Sequence, residues 1–559
     1  MKMSGADLII HLIERQGIKT LAGIPGGSNL PLYDALARHG SIRHVLARHE
    51  QGAGFIAQGM ARVTGRPQVC FATSGPGATN LLTAIADARL DSIPLVCITG
   101  QVPRAMIGTD AFQEVDTYGM SVPITKHNFL VRSAQELFQV IPTAFRIAAS
   151  GRPGPVLIDV PKDVQCEEIE FAAWPNPGLP ASPPALDFNS IAAAAALIND
   201  ASRPVFLLGG GVTASERHAI RGQIERTAIP AAATLMGLSA LPSEQSLALG
   251  LLGMHGAVST NLSFEECDLV IAAGVRFNDR TTGRLKHFCS QAKIIHVDID
   301  RCEIGKLCQT CLGLVGDVGQ VLEALLPLVK TRAASAWTKR IAKLKALHPL
   351  PASNPGDFPS PRTLIRLVAE HLDDRAIIVT DVGQHQMWTA QTFPFRGSQQ
   401  WLTSGGLGTM GFGIPAAIGA ALAAPERTIV SFSGDGSAMM NLQELATAVE
   451  ENANIKIFLM NNNSLGLVRQ QQSLFFGNRR FASGFSRQPD FCALARSFGM
   501  PAWDLGDEDP RLKIAEALGT PGPALIHAPI QEADVFPIVP PGEANRNMIQ
   551  GGCHAHIAI

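Results

Sequence analysis

Two polar side chains follow consecutive predicted strands in the last third of the chain. Asp435 lies in "GDGS" (434–437) and Asn462 in "MNNNS" (460–464), and an apolar run of strand type precedes each motif. The spacing leaves room for a crossover helix, so both side chains would meet at the carboxyl edge of one parallel sheet. Oxygen ligands of this kind suit Mg²⁺ bound to phosphates. Gly-Asp-Gly alone more often marks a turn, and the spacing to Asn462 is what favours a metal site.

A third candidate, Glu50 in "RHEQGA" (48–53), lies near the other end of the chain. It precedes a Gly/Ala-rich stretch of helical spacing, residues 51–61. Acidic residues stabilise helix N-termini, so a capping role explains Glu50 from the local sequence. A carboxyl group in an apolar pocket has a raised pKa, however, and can hold a proton near neutral pH. The local sequence leaves both roles open.

The elements that must position these residues alternate in three blocks. Short apolar or β-branched runs alternate with helical segments from residue 5 to about 165, from 204 to about 330, and from 376 onward. This alternation predicts an α/β fold of three doubly wound domains with mostly parallel sheets. Two Pro-rich breaks, 172–188 and 348–361, separate the blocks. The expected division is an N-terminal domain (1–170), a linker (171–190), a central domain (191–332), a linker (333–362) and a C-terminal domain (363–559).

Composition argues against several classes of function. The formal net charge is -2 and no block of Lys or Arg occurs, so we expect no nucleic-acid partner. The uncharged stretch 407–424 contains glycines and a proline, which favours a helix buried in a domain over a membrane span. The first residues lack a signal sequence, which predicts a cytoplasmic protein. Neither the cluster Cys302, Cys308 and Cys311 nor the tail "CHAH" (553–556) has the four ligands of a structural zinc site.

The motifs together resemble those of one enzyme family. "GDGS" and the following "NN" are similar to the diphosphate motif of thiamine diphosphate enzymes, and the chain resembles the acetohydroxyacid synthases, also called acetolactate synthases, among them. "VRQQQSLFF" (468–476) is most similar to one bacterial isozyme. The resemblance covers nearly the whole chain, in stretches that include "GIPGGS" (23–28), "ATSGPGATN" (72–80), "IGTDAFQEVD" (107–116), "FNDRTTG" (277–283), "TDVGQHQMW" (380–388), "GGLGTMGFGIPAA" (405–417) and "VFPIVPPGEANRNMI" (535–549).

The resemblance implies an enzyme that decarboxylates pyruvate and condenses the product with a second 2-oxo acid, using thiamine diphosphate, Mg²⁺ and FAD. It implies that Glu50 bonds the aminopyrimidine ring and that Met410 supports the bent shape of the cofactor. The implied Mg²⁺ ligands are Asp435, Asn462 and the main-chain oxygen of Ser464. Further implied thiamine diphosphate contacts are Gly383, Gln384, His385, Gly408, Gly434, Gly436, Ser437 and Gly466.

The same resemblance assigns residues to the substrates. Arg280 would receive the carboxylate of the second substrate, a task suited to a guanidinium fork, and Ser28 would face the reacting carbons. Relatives that prefer 2-oxobutyrate carry tryptophan at the position of Gln471. One methylene in an apolar pocket is worth about 1–3 kcal/mol, so with glutamine we expect mainly 2-acetolactate, made from two pyruvates. The residues implied to line the site from a partner subunit are Phe112, Gln113 and Lys126.

Resemblance also implies the flavin site and the assembly. The active site would lie between two copies of the chain, so a homodimer is the minimum, and a separate small regulatory subunit is expected because no segment is of amino-acid-sensing type. The resemblance implies that the reaction is the first common step of valine, leucine and isoleucine biosynthesis. It also implies that FAD takes no net redox part in that reaction. The implied FAD contacts are Arg152, Gly209, Gly210, Gly211, Thr234, Leu235, Met236, Gly253, Met254, His255, Gly274, Arg276, Asp298, Ile299 and Asp317.

Three alternatives stand beside this hypothesis. A flavin-dependent pyruvate oxidase would share the domains and cofactors but would lack the "FNDR" and "VPPG" stretches. Glyoxylate carboligase has an apolar residue in place of the glutamate, whereas Glu50 is present. A non-catalytic nucleotide-binding module would not need Glu50 together with Asp435 and Asn462.

Overall fold

A computed structural model describes residues 1–213, 217–241, 243, 245–332, 335–351, 358–396, 398–506 and 509–551. The tail "CHAH" lies outside these residues. Within them, three six-stranded sheets follow one another along the chain, and the strands of each sheet pair in parallel. The expected α/β fold of three doubly wound domains is confirmed.

The first sheet has the strand order β3-β2-β4-β5-β7-β6, and a small antiparallel pair, β1 with β8, closes the domain. Its strands are β1 Lys2–Ser4, β2 Thr20–Gly23, β3 Arg43–Leu46, β4 Gln68–Ala72, β5 Leu95–Gln101, β6 His127–Leu130, β7 Pro155–Pro161 and β8 Glu168–Glu170. Its helices are α1 Gly5–Arg15, α2 Leu30–His39, α3 Glu50–Thr64, α4 Pro76–Asp91, α5 Thr117–Ser121, α6 Leu137–Ala149 and α7 Lys162–Cys166, with short 3₁₀ turns at Arg104–Met106, Val122–Ile124 and Ala134–Glu136.

The central sheet has the order β11-β10-β9-β12-β13-β14. Counted from its first strand this is 3-2-1-4-5-6, the order of dinucleotide-binding sheets, which bind ligands where the order reverses. Its strands are β9 Pro204–Leu208, β10 Ala231–Ala233, β11 Ala248–Leu251, β12 Leu269–Ala273, β13 Lys293–Asp298 and β14 Leu312–Val315. Its helices are α8 Phe188–Asp200, α9 Arg217–Thr227, α10 Val258–Glu266, α11 Asp279–Thr282 and α12 Val318–Leu325, with 3₁₀ turns at Leu235–Ala240 and Leu285–His287.

The third sheet, in the order β16-β15-β17-β18-β20-β19, repeats the topology of the first. Both read 2-1-3-4-6-5 from their own first strand, which explains the similar "ATSGPGATN" and "FSGDGSAMMN" stretches. Its strands are β15 Ile377–Thr380, β16 Gln400–Leu402, β17 Ile429–Gly434, β18 Ile455–Asn461, β19 Ala502–Asp504 and β20 Ala524–Pro529. Its helices are α14 Pro361–Glu370, α15 Gln384–Thr392, α16 Gly413–Ala423, α17 Asp435–Ala438, α18 Glu444–Glu450, α19 Gly466–Phe475, α20 Phe491–Ser497 and α21 Pro510–Gly519, with a 3₁₀ turn at Asn545–Asn547.

The second expected linker, 333–362, differs from the structure. A helix, α13 (Ala336–Leu347), occupies part of it and buries Trp337 and Ile341 in the core of the central sheet. The Trp337 indole also donates to the main-chain oxygen of Pro204 at 3.0 Å. The first Pro-rich break, by contrast, has neither helix nor strand between β8 and α8.

The uncharged stretch 407–424 contains α16 (Gly413–Ala423), which is buried against α3 of the first domain. A Cβ at Gly59 of α3 would lie 2.2 Å from the Ala416 main-chain oxygen, and one at Gly419 of α16 would lie 2.0 Å from that of Ile56. The two helices therefore touch through their backbones. Among the described residues, no helix is both long and apolar enough to cross a bilayer.

This contact gives a stability prediction. Gly59→Ala places a methyl group against main-chain atoms that cannot turn away, so it should lower the midpoint of thermal unfolding, with a cost of about 1–3 kcal/mol. Gly222→Ala in α9 is the matched control, because a Cβ there meets nothing within 4 Å and alanine is favoured over glycine in helices by about 1 kcal/mol. Circular dichroism should show opposite shifts; equal shifts would contradict the role of the α3–α16 contact.

Candidate functional site

The two motifs of the third domain meet at the carboxyl edge of its sheet, as their spacing predicts. β17 ends at Gly434 and β18, its neighbour, ends at Asn461. Asp435 is 2% exposed, and its Oδ2 accepts from the main-chain N–H of Ser464 at 3.1 Å and from Gln488 at 2.7 Å. Burial raises the pKa of Asp435 to about 6, and both of these donors are neutral groups. A buried carboxylate of this kind fits a divalent cation as its counter-ion.

Asn462 is bonded to the same residue as Asp435, Ser464. Its Nδ2 donates to Gln384 at 3.0 Å, while its Oδ1 accepts from the Ser464 hydroxyl at 3.1 Å. Gln384 was expected to contact the diphosphate partly through its side chain. In the structure that side chain is fully used by protein, because its Nε2 donates to Gln470 at 3.0 Å and to the main-chain oxygen of Ala533 at 2.9 Å. It orients Asn462 instead.

His385 provides a test of whether an anion fits beside this cluster. It is buried in the first turn of α15, and among the described residues its Nε2 has no hydrogen-bond partner. Burial lowers the pKa of His385 to about 3, so the ring is neutral. Gly434 approaches it so closely that a Cβ would lie 2.8 Å from Nδ1. An unpartnered imidazole at the start of a nine-residue helix fits a phosphate oxygen.

The remaining residues implied for thiamine diphosphate surround this edge of the sheet. Ser437 closes a turn by bonding Gly434, and Gly466 starts α19 where a Cβ would lie 2.0 Å from Gln384. Met410 is half-buried beside Gly411, whose N–H donates to Asp381 at 2.9 Å. The other three lie in the loops around the cluster, at positions where glycine allows close approach: Gly383, Gly408 and Gly436.

Glu50 starts α3, but it does not cap that helix. The N-cap is His49, whose Nδ1 accepts from the Gln51 N–H at 3.1 Å. The Glu50 carboxylate points away and accepts from Asn80 Nδ2 at 3.0 Å. It is half-exposed, and no hydrogen bond between described residues joins it to Asp435 or Asn462. Capping therefore does not explain this carboxylate.

Two loops of the first domain carry further predicted residues. Ser28 is buried, and its hydroxyl lies 2.8 Å from that of Ser74. Gln113 has a left-handed backbone with φ of 60°, packed against Gly75, while Phe112 next to it is 88% exposed. A large exposed phenylalanine beside a strained residue marks a surface where a ligand or a second protein binds.

A cavity of about 790 Å³ begins where the order of the central sheet reverses. Gly209, Gly211 and Gly274 make the strand ends touch there: a Cβ at Gly209 would lie 2.0 Å from the Gly274 main-chain oxygen. Within the part of the chain that the structure describes, the buried Nδ1 of His255 has no hydrogen-bond partner. The glycine cradle and this orphaned nitrogen fit a dinucleotide. The residues expected around FAD that line the cavity are Arg152, Gly210, Gly211, Thr234, Leu235, Met236, Met254, His255, Gly274, Arg276, Asp298, Ile299 and Asp317.

Two of the expected flavin contacts lie behind the cavity wall. Gly209 packs on Gly274, and Gly253, with φ of 105°, packs on the backbone of Arg280. Within the cavity, Arg152 pairs with Glu303 at 2.7 Å. Burial raises the pKa of Asp298 to about 6.

Arg280 and Gln471 come from different domains and line the same cavity. The Arg280 side chain is 62% exposed; its Nη1 donates to the Met254 sulfur at 3.5 Å, and its Nε lies 3.8 Å from the carboxylate of its neighbour Asp279. Gln471 lies on α19 one turn after Leu467, which also lines the cavity, while the adjacent Gln470 is fully buried on the other side. The guanidinium expected to bind the substrate carboxylate and the side chain expected to limit the size of the substrate therefore line one cavity.

Lys126, which the resemblance implies lines the site from a partner subunit, has its ammonium group engaged within its own copy. Its Nζ donates to the main-chain oxygens of Ile147, at 2.6 Å, and Ser150, so it caps the end of α6. Burial, with Arg89 nearby, lowers the pKa of Lys126 to about 8. It does not line the cavity. Cations at helix C-termini are stabilising, which is the role this chain shows for it.

Sequence reasoning missed Asp381. It is fully buried after β15 and accepts from the main-chain N–H groups of Val382, Gly411 and Gly413 at 2.8–2.9 Å. Burial raises its pKa to about 6. The available signal was a carboxylate directly after a buried strand, in "VTDVG". Its bonds to Gly411 and Gly413 fix the backbone that follows Met410.

Comparisons with known proteins agree with this geometry. Three family models match: the N-terminal TPP binding domain of thiamine pyrophosphate enzymes over residues 3–120, their central domain over 191–325, and their C-terminal TPP binding domain over 381–528. The acetolactate synthase isozyme 1 large subunit of Escherichia coli is 56% identical over 550 residues, 98% of each chain. Isozyme 2 of the same organism is 44% identical over 98% of this chain and 100% of its own. An Arabidopsis thaliana chloroplastic acetolactate synthase is 43% identical, covering 98% and 84%.

Proposed function

The chain belongs to the acetolactate synthase large subunits, a family of thiamine pyrophosphate enzymes, and from that premise we propose how its residues divide the work. We propose two pyruvates as the main substrates and Mg²⁺ and FAD as cofactors beside thiamine diphosphate. One observation carries the substrate proposal: Arg280, whose side chain is 62% exposed and so accessible to an anion, shares a cavity with Gln471, which offers little apolar surface for an extra methyl group.

The diphosphate end of the cofactor is assigned to the third domain. Asp435, Asn462 and the main-chain oxygen of Ser464 would hold Mg²⁺, and His385 with the first N–H groups of α15 would hold phosphate oxygens. The support is the buried carboxylate with only neutral donors and the unpartnered His385 Nε2. Asp381 and Gln384 act through their neighbours, by fixing the backbone around Met410 and the Asn462 amide.

Thiamine diphosphate, when bound, supplies an electron sink for the carbanion that forms as CO₂ leaves. The protein's part is proton transfer and orientation. Glu50 would hold a proton at one carboxylate oxygen and share it with the cofactor's aminopyrimidine, and Asn80 orients it through the other oxygen. Arg280 would bind the carboxylate of the second 2-oxo acid, so that its carbonyl carbon faces the reacting centre.

The proposed assembly rests on the observation that the predicted catalytic residues do not come together within one copy of the chain. Glu50 and the Asp435 cluster belong to different domains, no hydrogen bond between described residues joins them, and Phe112 is 88% exposed. These observations support a homodimer in which the first domain of one copy faces the third domain of the other. The relatives are named large subunits, which supports a separate small regulatory subunit. The boundaries 1–170, 191–332 and 363–559 remain our domain proposal, and free buried thiols such as Cys70 and Cys97 support a cytoplasmic location.

The function is tested by a product assay. The purified chain is incubated with pyruvate, and acetolactate, CO₂ and oxygen consumption are measured with thiamine diphosphate, Mg²⁺ and FAD present or each omitted. We expect one acetolactate per CO₂, without stoichiometric oxygen uptake, and loss of activity when any cofactor is stripped. Oxygen uptake that matches CO₂ release would identify a pyruvate oxidase instead.

Substrate preference gives a second prediction. In Gln471→Trp, the indole would add an apolar wall opposite Arg280 and favour the longer 2-oxo acid. An added methylene contributes about 1–3 kcal/mol, so the ratio of acetohydroxybutyrate to acetolactate should rise about 10-fold or more when pyruvate and 2-oxobutyrate compete. Gln472→Trp, one position away on α19 and outside the cavity lining, is the control. A tens-fold preference for acetohydroxybutyrate in the unmodified enzyme would contradict the proposal.

A further inference from the structure

The loop between β16 and α16, residues 403–409, ends at Met410. Its start bonds to Thr380 and Gln386 of its own domain, and the rest is held by residues of the first domain. We propose that Arg62, Asp87 and Asp91 are positioning residues for catalysis: they fix this loop so that Met410 meets the thiamine cofactor. The inference rests on the proposed function, since it gives Met410 the role of cofactor support, and it extends that function to residues more than 300 positions earlier in the chain.

Asp91, the last residue of α4, holds the middle of the loop. Its Oδ1 accepts from the Gly406 N–H at 2.7 Å and its Oδ2 from the Gly405 N–H at 3.0 Å. The side chain has no solvent exposure. A buried carboxylate that accepts two consecutive main-chain N–H groups specifies the local backbone, because each unpaired buried N–H would cost about 1–3 kcal/mol.

Asp87, one turn earlier on α4, holds both ends of the same loop. Its Oδ1 accepts from the Ser404 hydroxyl and, at 3.0 Å, from the Thr409 hydroxyl. The Ser404 hydroxyl in turn accepts from the Thr409 N–H at 2.8 Å, which closes the loop. Thr409 directly precedes Met410, so Asp87 bonds the residue next to the proposed cofactor support.

Arg62 of α3 joins the two carboxylates. Its Nη2 donates to Asp91 at 2.8 Å and lies 3.4 Å from Asp87, while its Nη1 donates to the main-chain oxygen of Thr403 at 3.1 Å. Its guanidinium carbon lies 5.0 Å from the ring centroid of Phe412, on the far side of Met410. Arg62 therefore contacts the start of the loop, at Thr403, and the residue Phe412 that follows Met410. It also neutralises the carboxylates of Asp87 and Asp91, which are buried between the domains.

The other face of the loop borders the flavin cavity. Gly405 and Gly408 line that cavity, and a Cβ at Gly405 would lie 2.3 Å from the Met236 sulfur, at a position expected to contact FAD. At Gly405 the loop therefore packs directly against the central domain. Its conformation is set by the first domain on one side and by the cavity wall on the other, which makes the position of Met410 depend on the three charged residues.

The experiment compares Asp91→Asn with a matched control. In the control, Asp268→Asn, the carboxylate likewise accepts two consecutive N–H groups, from Ser202 and Arg203 at 2.8 Å each, but lies in the central domain outside the cavity. For Asp91→Asn we expect kcat to fall about 10- to 100-fold, the thiamine diphosphate activation constant to rise, and KM for pyruvate and bound FAD to stay within twofold. Asp268→Asn should shift only the thermal midpoint.

A double-mutant cycle with Met410→Ala separates positioning from general stability. If Asp91 acts through Met410, the effect of Asp91→Asn on kcat should largely vanish in the Met410→Ala background, whereas independent effects would multiply. Thr409→Val, which removes one bond to Asp87, replaces Asp91→Asn if that variant does not fold. Multiplying effects, or an Asp91 variant that behaves like Asp268→Asn, would overturn the inference. Failure of the unmodified enzyme to form acetolactate would instead overturn the proposed function.

Discussion

Glu50→Gln is expected to lower kcat for acetolactate formation by about 10²- to 10⁴-fold, the range that general acid–base groups contribute. The glutamine oxygen can still accept from Asn80, which now bonds the carboxylate at 3.0 Å, so the side chain should keep its place. It cannot exchange a proton. Steady-state kinetics, with flavin absorbance and thiamine diphosphate titration, measure the effect; both cofactors should still bind.

Asp7→Asn is the control for the contribution that Glu50 makes to the stability of its helix. Asp7 is the acidic residue in the first turn of α1, as Glu50 is in α3, and each acid contributes about 0.3–1 kcal/mol to its helix. Both variants should therefore show similar small losses of thermal stability, and only Glu50→Gln should lose turnover. Near-normal turnover of Glu50→Gln would refute its catalytic role.

Asp435→Asn is expected to raise the Mg²⁺ concentration needed for half activation by about 100-fold or more. Mutation of a residue that merely hydrogen-bonds a metal ligand already lowers metal affinity about 10- to 100-fold. Here the charge of a proposed ligand itself is lost. The asparagine oxygen can keep accepting from Ser464 and Gln488, so the loop should stay folded. The measurement is activity against Mg²⁺ at saturating thiamine diphosphate, and high Mg²⁺ should restore part of it.

The control for this prediction is Asp490→Asn, in the same domain. Asp490 caps α20 by accepting from the Ala493 N–H at 2.9 Å and has no place in the proposed metal site. It should lower stability by about 1 kcal/mol without changing the Mg²⁺ dependence. An unchanged Mg²⁺ requirement in Asp435→Asn would show that another group holds the cation.

Much of the site was predictable because its residues occur where strands end. In a parallel sheet the carboxyl ends of neighbouring strands share one edge, so Asp435, Asn462 and the glycines after β9 were bound to converge once the alternation was recognised. The uncharged composition of 407–424, with its glycines and proline, likewise indicated a buried helix, which is α16. These inferences need only local order along the chain and the known geometry of parallel strands.

Partnerships between distant residues were not predictable. The capping role fell to His49 and not to Glu50, the side chain of Gln384 is engaged by Asn462 and Gln470, and Lys126 is held by the end of α6. Each outcome depends on which of several possible partners lies within about 3 Å after folding. A sequence without its tertiary structure specifies the donors and acceptors but not their pairing.

The sequence by itself determined the fold class, the order of the domains and the identity of the residues that could hold a diphosphate, a metal ion and a dinucleotide. Only the tertiary structure decided that Arg280 and Gln471 share one cavity and that Asp87 and Asp91 hold the loop of Met410. The physical reason is that periodicity and strand ends are properties of neighbouring residues. Cavities and buried charge networks exist only where separate domains close on one another.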